Sequence, residues 1–117
     1  MDEIRFFMEE SMVAVEPTAS IREAAQKMRE NNIRHLSISR GNKIVGILSI
    51  KDFANYYSFK YFQGKNQEDQ IGNYMREKLE TVPESTSIHK AARLMKENKI
   101  GSLLVTGNED IAGIVTE

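Results

Sequence analysis

Displaced by 67 residues, the chain matches itself. The segment SIREAAQKMRENNIRHLSISRGNKIVGILSI (20–50) aligns without a gap with SIHKAARLMKENKIGSLLVTGNEDIAGIVTE (87–117), and twelve of these 31 positions are identical. Average composition would give roughly two by chance. The match also runs upstream, with Phe7 on Tyr74, Met8 on Met75 and Val15 on Val82. The unit is therefore about 60 residues long and occurs twice. A unit of that size buries little core alone, so the two are expected to pack as a pseudo-twofold pair with a cleft between them.

Each unit can be read from its spacing. Ile21, Ala24, Ala25 and Met28 follow the i, i+3, i+4, i+7 pattern of one apolar helix face, and Ile88, Ala91, Ala92 and Met95 repeat it. Ser20 with Glu23 makes a capping-box pattern, Asn31 and Asn98 are the expected stops, and the small alanines suggest close packing on a sheet. Two apolar, β-branched runs follow, 33–39 and 44–50, joined by the polar turn Arg40-Gly41-Asn42-Lys43, which predicts a hairpin. The run 12–15 predicts a first strand, and a further helix is expected near Ser49. The fold class is thus α/β (α+β), two β-α-β-β-α units. The expected division is unit one at 1–63, a polar connector at 64–70 (GKNQEDQ) and unit two at 71–117, opening with a helix over 71–79.

Sixteen basic residues face 17 acidic ones, so no global field draws the chain to nucleic acid or an anionic membrane. Cysteine is absent, which excludes disulfides and thiolate metal sites. The apolar runs are short and the acidic start MDEIRFFMEE is unlike a signal peptide, so a soluble, cytoplasmic protein is expected. No metal-binding or nucleophile motif appears and the two histidines, His35 and His89, sit at unrelated positions, so an enzyme is the least supported class. His89 is read as a surface residue.

The SI..AA..M.EN.I helix, the hairpin, and the ending Gly46-Ile47-Leu48-Ser49-Ile50-Lys51-Asp52, two such phrases at one fixed offset, resemble the tandem CBS-domain pair, or Bateman module, over nearly the whole chain. The resemblance implies a regulatory module that binds an adenosine-containing ligand (AMP, ADP, ATP or S-adenosylmethionine) in the inter-unit cleft and passes its occupancy to a fused or partner protein. No cofactor beyond that ligand, and no metal, is implied. In such a site Asp52 accepts hydrogen bonds from the ribose hydroxyls, Ser49 meets a phosphate, and Lys51 adds positive charge. The resemblance also places Arg34 and His35 toward phosphates, Thr116 at the position matching Ser49, and Val15 and Thr86 near the base. It further suggests a homodimer through the CBS helices.

Alternative readings stand beside these. Ser49-x-x-Asp52 is also an ordinary capping box, and both roles are compatible. Arg34 and His35 read equally well as the solvent side of a strand. The residues matching them in unit two are Gly101 and Ser102, so the half-sites differ, and an anionic ligand should prefer the basic one. The stretch 53–63 carries six aromatics; packing on the other unit or a second chain is favoured over stacking on single-stranded nucleic acid, because only Lys60 and Lys65 supply charge there. The rival function is a ligand-free structural or oligomerisation module. The chain ends at GIVTE, before the residue that would match Asp52, so unit two is read as lacking its C-terminal end and the first half-site as the more complete.

Overall fold

The computed structural model describes residues 2–52, 68–108 and 110–117. Among them, each repeat forms a three-stranded sheet with one helix. In the first, β1 (Ala14–Val15) leads to α1 (Ile21–Asn31), then to the hairpin β2 (His35–Arg40) and β3 (Lys43–Ser49). In the second, β4 (Thr81–Pro83) leads to α2 (Ile88–Asn98), then to β5 (Ser102–Thr106) and β6 (Ile111–Thr116). The sheet orders are β1-β2-β3 and β4-β5-β6, with a parallel first pair and an antiparallel hairpin in each. The expected strand, helix and hairpin are therefore present in both repeats.

Local chemistry explains the elements. Ser20 Oγ accepts from Glu23 N–H at 3.0 Å and Ser87 Oγ accepts from Lys90 N–H at 3.1 Å, satisfying a free donor at each helix start. The helices end at the expected stops, Asn31 and Asn98, each followed by a left-handed cap, Asn32 (φ 51°) and Lys99 (φ 54°). The apolar faces bury Ile21, Ala24 and Met28 in α1, and Ala91 in α2. Ala92 is exposed, so the second face is narrower than its spacing predicts. The central strands contribute Leu36 and Ile38 of β2, and Leu103 and Val105 of β5, to the two cores.

The compact units do not coincide with the stretches 1–63 and 71–117. One unit is Val13–Lys78, and the other joins Met1–Met12 to Leu79–Glu117. The segment before each repeat is bonded to the body of the other. In the first-repeat unit, Ile71 N–H donates to Ala19 O (2.7 Å), Ile21 N–H donates to Asp69 O (3.0 Å), and Arg76 and Ile47 exchange backbone bonds. The second-repeat unit reproduces each of these at the 67-residue offset: Ile4 N–H to Thr86 O (2.7 Å), Ile88 N–H to Asp2 O (2.7 Å), and Glu9 with Ile114. Ile71 and Ile4 are both fully buried.

This corrects the expectation of a helix over 71–79. Only Ile71–Asn73 forms a single 3-10 turn, after which the chain extends along β3. The backbone polar groups of Arg76 are satisfied by Ile47 rather than by a helical ladder. The helix expected near Ser49 does begin, since Ile50–Asp52 are helical. The aromatic stretch 53–63 and residues 64–67 of the expected connector lie outside the described residues. Among those described, no helix is long and apolar enough to cross a membrane.

Candidate functional site

The first-repeat unit gathers polar groups where β3 ends. Ser49 closes β3 and lies opposite His35, the first residue of β2. Ile50 N–H donates to Arg34 O at 2.8 Å, tying the start of β2 to the helical turn. Ser49 and Asp52 then cap each other: Ser49 N–H donates to Asp52 Oδ2 at 3.0 Å, and Asp52 N–H donates to Ser49 Oγ at 3.1 Å. The capping reading of Ser49-x-x-Asp52 is thus realised in both directions.

A residue that the sequence did not single out completes the group. Arg76 Nε and Nη2 both donate to Asp52 Oδ1, at 3.2 and 2.9 Å. The Asp52 side chain is only 15% exposed, whereas that of Arg76 is 51% exposed. Burial pushes the Asp52 carboxyl upward, but the Arg76 guanidinium and the N–H and hydroxyl of Ser49 outweigh it and hold the group below its ordinary value. Asp52 is therefore ionised at neutral pH, and its two oxygens receive three hydrogen bonds from the protein.

The other sequence-derived positions fall as follows. Arg34 is exposed, His35 is half-buried with its Nδ1 shielded from solvent, and Lys51 is exposed on the helical turn. Val15 is buried in the core on β1, so its side chain is committed to packing and only its backbone is left for other contacts. Thr86 and Thr116 belong to the other compact unit. Thr116 is exposed opposite Ser102, and the Thr86 backbone bonds to Ile4 and Pro83. The Glu117 N–H to Gly101 O bond (3.0 Å) repeats that of Ile50 to Arg34, so the second repeat keeps the backbone of the site with Gly101 and Ser102 in place of the basic pair. No cluster of three or more His, Cys, Asp or Glu side chains able to hold a metal occurs among the described residues.

The family model for the CBS domain matches residues 2–58 and again residues 71–117. The chain belongs to the CBS-domain family. As a tandem CBS chain it is 30% identical over 122 residues to an uncharacterised 33.4 kDa protein of Thermofilum pendens, covering 97% of this chain and 41% of that protein. It spans between 22% and 41% of the length of the first curated relatives it matches. Among solved structures it is similar to the CBS-domain pair of protein MJ0100 in complex with 5'-methylthioadenosine and S-adenosyl-L-methionine, with a TM-score of 0.82 and 26% identity over 97% of this chain and 92% of that one. It also shares its fold with CBSX2 in complex with AMP, with a TM-score of 0.83 and 24% identity over 100% of this chain and 91% of that one.

Arg76 carried one sequence signal. It follows the repeated methionine, Met75, as Glu9 follows Met8. Nothing within ten residues of Asp52 announces it, because the pairing spans 24 positions.

Proposed function

We propose that this CBS pair is a non-enzymatic regulatory module that binds an adenosine-containing ligand, AMP, ADP, ATP or S-adenosylmethionine, at the β3 end of the first-repeat unit. One observation carries the reading: an ionised, largely buried carboxylate, Asp52, is fixed at a strand end that Arg34, His35, Ser49 and Lys51 also occupy. An ionised carboxylate is a strong acceptor for vicinal ribose hydroxyls, and neighbouring cations favour a phosphate or other anionic group. Arg34, His35, Ser49 and Lys51 are assigned to the anionic part of the ligand and Asp52 to the ribose. Val15, whose side chain is committed to the core, is assigned to the base through its backbone, and Thr116 is the second-repeat counterpart of Ser49. The adenosine ligands of MJ0100 and CBSX2 support this choice of ligand class.

Ligand affinity would then be linked to the state of an attached or partner protein, in the cytoplasm, with a homodimer through CBS helices as the assembly. Calorimetric titration with the four ligands tests the module. Binding in the full chain that is lost in Asp52→Ala supports it. Absence of binding at millimolar concentration would leave the structural or oligomerisation role instead.

A further inference from the structure

The geometry points to Arg76 as a specificity-determining residue that competes with a ribose diol for Asp52, so that the site favours ligands carrying both a diol and an anionic group over neutral nucleosides. The inference rests on the ribose-binding reading of Asp52. A carboxylate oxygen offers about two lone-pair directions. Arg76 Nε and Nη2 fill both on Oδ1, and Ser49 N–H takes one on Oδ2. At most a single acceptor direction is left, whereas a vicinal diol brings two donors. Two-pronged binding of the ribose therefore requires Arg76 to withdraw at least one of its bonds.

Withdrawal is feasible because the Arg76 side chain is half exposed, and exposed ion pairs are weak. The backbone of Arg76 cannot follow, since Arg76 N–H donates to Ile47 O at 2.9 Å and Ile47 N–H donates to Arg76 O at 3.1 Å. The displaced guanidinium thus stays tethered to β3, on the strand that ends at Ser49. A ligand with a phosphate offers it a replacement anion in two-donor geometry, which a guanidinium fork matches well. A neutral nucleoside takes its Asp52 partner and returns nothing. In the second-repeat unit the equivalent residue is Glu9, so this exchange belongs to the first-repeat unit.

The test is equilibrium titration of the full chain and of Arg76→Gln and Arg76→Lys with adenosine and with AMP, with circular dichroism to verify folding. Arg76→Gln is expected to bind adenosine about two- to fivefold more tightly and AMP more weakly by a similar factor, the scale of an exposed ion pair. Arg76→Lys keeps the charge without the fork, so it should tighten adenosine while retaining AMP, and it carries the test if Arg76→Gln does not fold. An unchanged ratio of AMP to adenosine affinity, or weakening of both ligands together, overturns the role of Arg76 while the ribose reading of Asp52 stands. Failure of the unsubstituted chain to bind either ligand overturns that reading, and this inference with it.

Discussion

Met75 lies against Gly46 so closely that a Cβ on the glycine would stand 2.8 Å from Met75 Cγ and 3.2 Å from its Cβ. Met8 and Gly113 repeat the contact in the other unit, with Met8 Sδ at 2.8 Å and Glu9 O at 2.9 Å from the same imagined atom. The glycine of each repeated phrase is thus the seat for the extended segment that precedes the opposite repeat.

The two seats should respond differently to an added methyl group. At Gly46 the nearest atoms all belong to the flexible Met75 side chain, whereas at Gly113 a backbone oxygen is among them. Gly113→Ala should therefore cost about 1–3 kcal/mol and Gly46→Ala less. Met75→Ala should make Gly46→Ala close to neutral, a coupling that a double-mutant cycle in urea would measure.

Ile4, in the segment that precedes the first repeat, is as fully buried as Ile71. Ile4→Ala and Ile71→Ala should each lower stability by about 2–5 kcal/mol, as for core truncations. An N-terminal deletion through residue 7 should be at least as damaging as Ile4→Ala. Thermal unfolding of the three variants checks this, and an indifferent Ile4→Ala would contradict the segment exchange.

Asp52 makes a pH prediction. Its carboxyl is held below the ordinary value in the folded chain, so its contribution is complete above the unfolded carboxylate range near about 4 and is lost as pH falls through the lower folded value. Asp52→Asn should reduce stability at neutral pH by no more than about 1 kcal/mol, since Arg76 is exposed and the cap is a single pair. The gap between variant and parent should close on acidification below that range, as followed by urea midpoints at pH 7 and pH 3.

Lys99 adopts φ 54° as the left-handed cap of α2, a conformation in which a Cβ is strained. Lys99→Gly should raise stability by about 0.5–1 kcal/mol. Asn32 holds the matching position in α1, and its side chain tolerates that region better, so Asn32→Gly should gain less. Comparison of the two melting temperatures decides the point.

Two short-range regularities made most of the fold legible. Ile21, Ala24 and Met28 fall on one face because of a 3.6-residue period, and the runs around Gly41 fold back because of a polar two-residue turn. The Ser49-x-x-Asp52 cap is likewise complete within four residues, so its chemistry could be read directly. The 67-residue offset added the remainder, since two copies of one local pattern must adopt one local structure.

Ala92 departs from its pattern because periodicity names a face without saying how much of it is covered. The 71–79 segment departs because its backbone bonds go to Ala19, Pro17 and Ile47 of the first repeat, partners that no local propensity encodes. The same placement delivers Arg76 to Asp52. Sequence alone determined the helices, the hairpins, the repeat and the Ser49-Asp52 cap, all of which depend on neighbours a few residues away. Tertiary structure alone decided which body each leading segment joins and which cation faces the carboxylate, because those choices arise from long-range burial of Ile4 and Ile71 and from the fit of Met8 and Met75 over a glycine.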